Sequence, residues 1–173
     1  MHLLTPRLVL RALAPADLSA FVAYRSDPLV ARYQGWEAPY SREDAELLFS
    51  GANADLPPVP GEWRQVGIAR RADGELLGDC AYLLGAEGPE AEIGVTLARA
   101  HQGQGYAQEA LSALFGTLRE TLGMRRLIAR CDPRNEPVLR LFSRLGFVED
   151  SRCEGAYWSK GEWVGEVCLS RPA

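Results

Sequence analysis

Between Glu92 and Ala110 the hydrophobic period of the chain changes, and few folds accommodate such a change at that point. Ile93, Val95 and Leu97 alternate with smaller or more polar residues, as in a strand; Ala110, Leu111, Leu114, Phe115, Leu118 and Leu122 then recur at helical spacing. The switch falls in Gln102-Gly-Gln-Gly-Tyr-Ala-Gln108, which predicts a buried strand, a tight turn and the start of a helix. Gly103 and Gly105 accept positive φ and let a ligand approach the chain without meeting a Cβ. A helix beginning there leaves its first N–H groups unpaired, with the positive end of its dipole behind them. That geometry suits a phosphate. Glycines between a strand and a helix are also plain turn formers, and the stretch is neither a Walker loop nor a dinucleotide fingerprint. It has no Gly-Lys-Ser/Thr and lacks the third glycine of Gly-x-Gly-x-x-Gly.

The remaining text reads as short elements around this one. Arg7 to Leu13 predicts a strand. Pro15 to Ser26 predicts a helix, with Leu18, Phe21, Val22 and Arg25 at helical spacing, broken by Asp27-Pro28. Ser41-Arg-Glu-Asp44 has the form of a capping box opening a helix through Leu47, Leu48 and Phe49. Residues 50–62, rich in Gly, Pro, Asn and Asp, read as a long loop, either a passive excursion or a segment that closes over a substrate. Arg64 to Arg71 and Glu75 to Leu84 form a hairpin across Asp73-Gly74. After the helix, which Gly123 caps, come a strand (Arg126 to Cys131), a helix (Glu136 to Leu145) and strands at Phe147 to Cys153 and Trp163 to Leu169. This order gives a mixed α/β sheet rather than a doubly wound one, in a chain of 173 residues sized for a single domain over 1–173.

A net charge of −4 argues against a nucleic-acid partner, which would need a surplus of cations. Lys160 is the only lysine; Arg125 with Arg126, and Arg130 with Arg134, read as solvated faces or as a basic spot near a bound anion. Cys80, Cys131, Cys153 and Cys168 are widely spaced in apolar text and read as buried thiols. With only His2 and His101 present, no metal site is expected. No apolar run approaches a bilayer span and no secretion pattern opens the chain, so a cytoplasmic protein without a membrane partner is the expectation.

Gln102-x-x-Gly105-x-Ala107 resembles the Gln/Arg-x-x-Gly-x-Gly/Ala motif of the GNAT superfamily of N-acetyltransferases, whose loop cradles the pyrophosphate of acetyl-coenzyme A. Thr5-Pro-Arg-Leu-Val-Leu-Arg11 and Asp132-Pro-Arg-Asn135 … Leu145-Gly-Phe147 also resemble the branch that acetylates the N-terminal alanine of ribosomal proteins. The resemblance implies a mostly antiparallel sheet of about six to seven strands flanked by helices, with acetyl-CoA as cosubstrate. The acceptor it implies is an amine, on a protein N-terminus or a small molecule, and the chain would be a monomer or homodimer. Antibiotic acetylation and a non-catalytic CoA-binding module are the alternatives.

Roles follow from the same resemblance. Gln102, Gly103, Gln104, Gly105, Tyr106, Ala107 and Gln108 would hold the diphosphate, while the backbone at Val95, Thr96 and Leu97 would face the pantetheine arm, one N–H polarising the thioester oxygen. Val95 and Leu97 side chains read as core. Glu92 stands where the family carries a general base; a glutamate entering an apolar strand would lose hydration and hold a proton more readily, while a lone glutamate at a strand edge reads equally as simply solvated. Asn135 matches a cofactor-side asparagine and is also a natural N-cap, with Pro137 in the first turn. Phe142 occupies a cofactor-side position where many members have a tyrosine acid, and Val138 one where the ribosomal branch often has serine. The usual proton donors are therefore missing, leaving Ser143, Tyr106 or water. Glu109 reads as a dipole-stabilising residue. Trp36, Tyr40 and Trp63 are candidates to line the acceptor pocket, or plain core aromatics.

Overall fold

A computed structural model of the protein describes residues 1–51 and 57–173. Its elements are β1 (His2–Leu4), β2 (Leu8–Arg11), α1 (Leu18–Arg25), α2 (Pro28–Ala31), α3 (Arg42–Gly51), β3 (Trp63–Arg70), β4 (Leu76–Leu84) and β5 (Glu90–Leu97). They continue with α4 (Tyr106–Glu120), β6 (Arg126–Cys131), α5 (Glu136–Arg144), β7 (Val148–Ser159) and β8 (Glu162–Pro172). The strands form one eight-stranded sheet in the order β1-β2-β3-β4-β5-β6-β8-β7, antiparallel except where β5 meets β6.

The sheet has two differently covered faces. Leu8 and Leu10 of β2, Val66 and Ile68 of β3, Ile93 and Leu97 of β5, Leu127 and Ala129 of β6, and Val167 and Leu169 of β8 pack in one core with α4 and α5. Leu111, Leu114 and Leu118 of α4 are wholly buried in it, each contributing about 1.5–3 kcal/mol relative to exposure. On the other face α1 and α3 cover only the β3–β4 side, through a smaller cluster that includes Leu18, Phe21, Tyr24, Val30, Ala45 and Leu76. The same face of β5, β6 and β8 carries Glu92, Arg130 and Glu166, left partly open.

Most expected elements are present, with instructive differences. The hairpin turn at Gly74 adopts φ +77°, as Asp-Gly requires. Ser41 accepts the Asp44 N–H at 3.0 Å, so the helix start there is capped as read. The sheet exceeds six to seven strands because His2–Leu4 pairs with β2, a strand too short to show a period. β7 and β8 extend well beyond their apolar centres because they pair with each other past the end of β6. Not every thiol is buried: Cys153 is exposed on the edge strand β7. Of the segment 50–62 read as a loop, residues 50 and 51 close α3, 57–62 are irregular, and 52–56 lie outside the described residues. No helix among the described residues is long and apolar enough to cross a membrane.

Candidate active site

β5 and β6 run side by side for three residues and then part. Their parallel register covers Glu90–Arg126, Ala91–Leu127 and Glu92–Ile128. Beyond it β5 continues to Leu97 against β4, and β6 to Cys131 against β8. Gly85 N–H donates to Glu90 O at 2.8 Å and Ala98 N–H to Leu77 O at 2.9 Å, so the even-numbered residues of β5 turn their backbone groups toward β4. The Glu92–Ile128 pairing still holds the Ile93 N–H on β6, so alternation leaves the Ile93 C=O, both backbone groups of Val95 and the Leu97 N–H facing the gap. Thr96 instead turns its backbone to β4 and its side chain into the buried interior opposite Asp79. From Leu97 back to Glu92 the gap is five residues deep, about 16 Å.

The glycine turn stands at the wide end of this gap. Gly103 and Gly105 adopt φ +73° and +81°, and Gly105 is the residue from which α4 springs. A Cβ on Gly103 would meet nothing, so its outer side is open. Gln102 folds back to donate from Nε2 to the Leu97 carbonyl at 3.0 Å, tying the turn to the strand. The turn offers the unpaired N–H groups of a fifteen-residue helix to an anion. The turn has room for an anion, and the free β5 edge for an extended arm lying along it.

Glu92 sits at the vertex where the strands part. Ile93 is in the core, so Glu92 points to the opposite, open face. It is not enclosed in apolar surroundings, as its strand suggested: its side chain is 25% exposed and accepts from Arg130 Nε at 3.2 Å. Arg130 also reaches Glu166 at 3.4 Å, so one guanidinium serves two carboxylates. Burial opposes its charge, but the two glutamates outweigh that and raise its pKa. Burial, with the charges of Glu166 and Glu92, pushes the Cys131 thiol at the end of β6 up to about 12.

The predicted acceptor residues separate. Trp63 pairs in register with Leu83, and Leu83 with Glu92. All three face away from the α4 core, so Trp63, 48% exposed, lies about 10 Å from Glu92 across the open face. Trp36 and Tyr40 pack instead around Arg25, whose guanidinium is 4.0 Å from the Trp36 ring and 5.3 Å from that of Tyr40. Arg25 is buried and paired at 3.0 Å with Asp79, which Tyr24 also bonds. Asn135 caps α5, accepting the Val138 N–H at 3.4 Å, with Pro137 in the first turn. Phe142 is 2% exposed and packs edge-on against Phe147 at 4.8 Å, Ser143 is exposed on α5, and Tyr106 stacks beneath Arg7.

Several residues at the site carry no signal in the sequence. Arg130 and Glu166 come from neighbouring strands whose register no local pattern fixes. Tyr157 of β7 lies where Asp132 and Glu166 act on its hydroxyl; burial first, then those charges, raise its pKa. Glu109, read as a dipole residue, accepts from the Thr5 hydroxyl at 2.6 Å and from Arg7 Nε at 2.6 Å.

The comparisons with known proteins agree with this geometry. The acetyltransferase (GNAT) domain family matches residues 7–148. The uncharacterized N-acetyltransferase p20 of Bacillus licheniformis is 29% identical over 169 residues, which are 97% of this chain and 94% of that protein. A GNAT-family acetyltransferase from Bacillus anthracis superposes with a TM-score of 0.88 at 22% identity, covering 99% of this chain and 98% of the other. RimL, a ribosomal L7/L12 α-N-protein acetyltransferase, superposes at 0.82 with 20% identity, covering 98% and 92%. A GNAT-domain match over residues 7–148, with relatives and solved structures aligned over nearly the whole chain, makes this protein a member of the GNAT family and an acetyl-CoA-dependent N-acetyltransferase.

Proposed function

We propose that the enzyme acetylates an α-amine at a protein N-terminus, with Glu92 accepting the proton that the ammonium must lose before the neutral amine attacks the thioester. The observation that carries this reading is the Glu92 carboxylate at the vertex of the β5–β6 gap, on the open face of the sheet and 3.2 Å from Arg130.

Acetyl-CoA supplies an acyl group already activated as a thioester, and a thiolate of pKa near 8.5 departs without a strong acid. The amides between Gln102 and Gln108 hold the diphosphate, and the Val95 and Leu97 backbone lines the arm, a Val95 N–H polarising the thioester oxygen. Asn135 and Phe142 border the arm from α5. Trp63 flanks the acceptor on the open face, where Glu92 and Glu166 present carboxylates to a cation.

The chemistry of the acceptor follows from what the site lacks. With phenylalanine at 142 and valine at 138, catalysis rests on positioning and on one carboxylate. An α-amine is already about one-tenth neutral at pH 7, whereas a lysine side chain is neutral at only about 0.04%. An α-amine asks less of such a site. RimL's protein α-amine belongs to the same chemical class.

The test is thiol release with acetyl-CoA and four acceptors: peptides beginning with alanine or serine, an N-terminally blocked peptide with one free lysine, and spermidine. Turnover confined to the free N-termini is expected. Turnover of spermidine alone would assign a small-molecule acceptor instead.

A further inference from the structure

Arg7 reaches the phosphate loop from the other end of the chain. Its Nε donates to Glu109 Oε2 at 2.6 Å, its Nη1 to the Gln104 carbonyl at 3.0 Å, and its guanidinium lies 4.5 Å from the centre of the Tyr106 ring. The Glu109 carboxylate also accepts the Arg7 backbone N–H at 2.8 Å and the Thr5 hydroxyl at 2.6 Å. Arg7 Nη2 stands 3.4 Å from where a Cβ on Gly105 would lie. The guanidinium is thus held by the first turn of α4 while it holds the turn before it.

The consequence comes from the peptide plane. In a trans peptide the C=O of one residue and the N–H of the next point in opposite directions. Drawing the Gln104 carbonyl onto Arg7 therefore aims the Gly105 N–H away from Arg7. A fixed guanidinium beside the loop also adds a permanent positive charge to a chain whose net charge is −4.

We infer that Arg7 is a positioning residue for the cofactor's diphosphate, fixing the Gln104–Gly105 peptide so that its N–H faces outward before any ligand arrives. The inference rests on the acetyl-CoA reading of the loop and extends it to a residue far away in sequence. Preorganisation of this kind removes an ordering cost from binding. Lysine could supply charge there but not the fork that grips a carboxylate and a carbonyl together.

Calorimetry with CoA, dephospho-CoA and pantetheine tests this on the wild type, Arg7→Met, Arg7→Lys and Glu109→Gln. Both Arg7 variants are expected to weaken CoA and dephospho-CoA about tenfold, the loss of one charge-assisted hydrogen bond, with pantetheine within about twofold. Three results would overturn the inference: Arg7→Lys binding as wild type, a weakening seen with CoA but not dephospho-CoA, or pantetheine weakened by the same factor. If Arg7→Met does not fold, Glu109→Gln carries the test. It should weaken CoA and spare pantetheine, and unchanged CoA affinity would refute the clamp. A wild type that fails to bind CoA would sink the acetyl-CoA reading itself. Wild-type binding matched by Arg7→Met would sink only the role of Arg7.

Discussion

Replacing Glu92 by glutamine keeps the shape at the vertex and removes the proton acceptor. A positioned general base contributes about 10²–10⁴ in rate, and one that also serves a partly neutral amine should fall at the lower end. We expect kcat/KM at pH 7 to drop about 100-fold. Part of that loss is the ammonium's proton: an α-amine of pKa near 8 is about one-tenth neutral at pH 7 and almost wholly neutral at pH 9. Raising the pH should therefore recover about tenfold, leaving a deficit of about tenfold at pH 9. A lysine acceptor would behave differently, its deficit still shrinking above pH 10. Lost stability does not account for such a change. The Arg130 side chain is 47% exposed and keeps Glu166, so the broken pair costs about 1 kcal/mol or less and Tm falls by no more than about 4 °C. Thiol release measured from pH 6.5 to 9.5 on a peptide beginning with alanine decides it. Unchanged kcat/KM, or a deficit constant across that range with Tm and CoA affinity intact, would remove Glu92 as the base.

Arg25→Met should destabilise the fold by about 3–5 kcal/mol, because it strands the Asp79 carboxylate among Tyr24 and apolar neighbours. Thermal unfolding should show Tm lower by about 10 °C, with part of the loss returned by adding Asp79→Asn. Gly105→Ala places a Cβ at φ +81° and 3.4 Å from Arg7 Nη2; it should cost about 1–2 kcal/mol and raise the KM for acetyl-CoA more than that for S-acetylpantetheine. Asp17 is held below its ordinary pKa because Arg11 and the Ala14 N–H outweigh the burial that opposes its charge. A lowered folded-state pKa means stabilisation that is full above the unfolded value near 4 and lost as pH falls through the folded one. Asp17→Asn should therefore lower the denaturant midpoint at pH 7 and converge with wild type in strong acid.

Local chemistry was legible in the sequence; contacts across long separations were not. The strand–turn–helix at 92–110 could be read because a period change and two glycines are visible within twenty residues, and the groups proposed to act there belong to the backbone. The Ser41 cap and the Asp73-Gly74 hairpin are similarly local. Glu92 could be placed on a strand, but its partner could not, since Arg130 meets it only because β5 and β6 pair at Glu92–Ile128. Trp36 and Tyr40 were open to two readings for a related reason. An aromatic is equally suited to a pocket wall and to enclosing a buried cation, and the cation, Arg25, looks in sequence like any exposed end of a helix.

The acceptor side shows why the family motif fixes the donor more firmly than the amine. Most of what is inferred to hold acetyl-CoA, apart from Arg7, Asn135 and Phe142, lies on one continuous stretch, so a short motif can encode it. The open face is assembled from β3, β5, β6 and the β7–β8 hairpin, and the hairpin tip is fixed from a fifth place. Lys160 donates from Nζ to the carbonyls of Ala31 and Gln34, at 2.5 and 2.8 Å, pulling the tip against the end of α2. Arg134 extends that closure by pairing with Asp132 and Glu162 while its guanidinium sits 6.0 Å from the Tyr33 ring. A change of a few residues in the α2 turn or the hairpin would reshape the proposed acceptor wall without touching the proposed phosphate loop. Proteins sharing this fold and this donor can thus diverge in the amine they take.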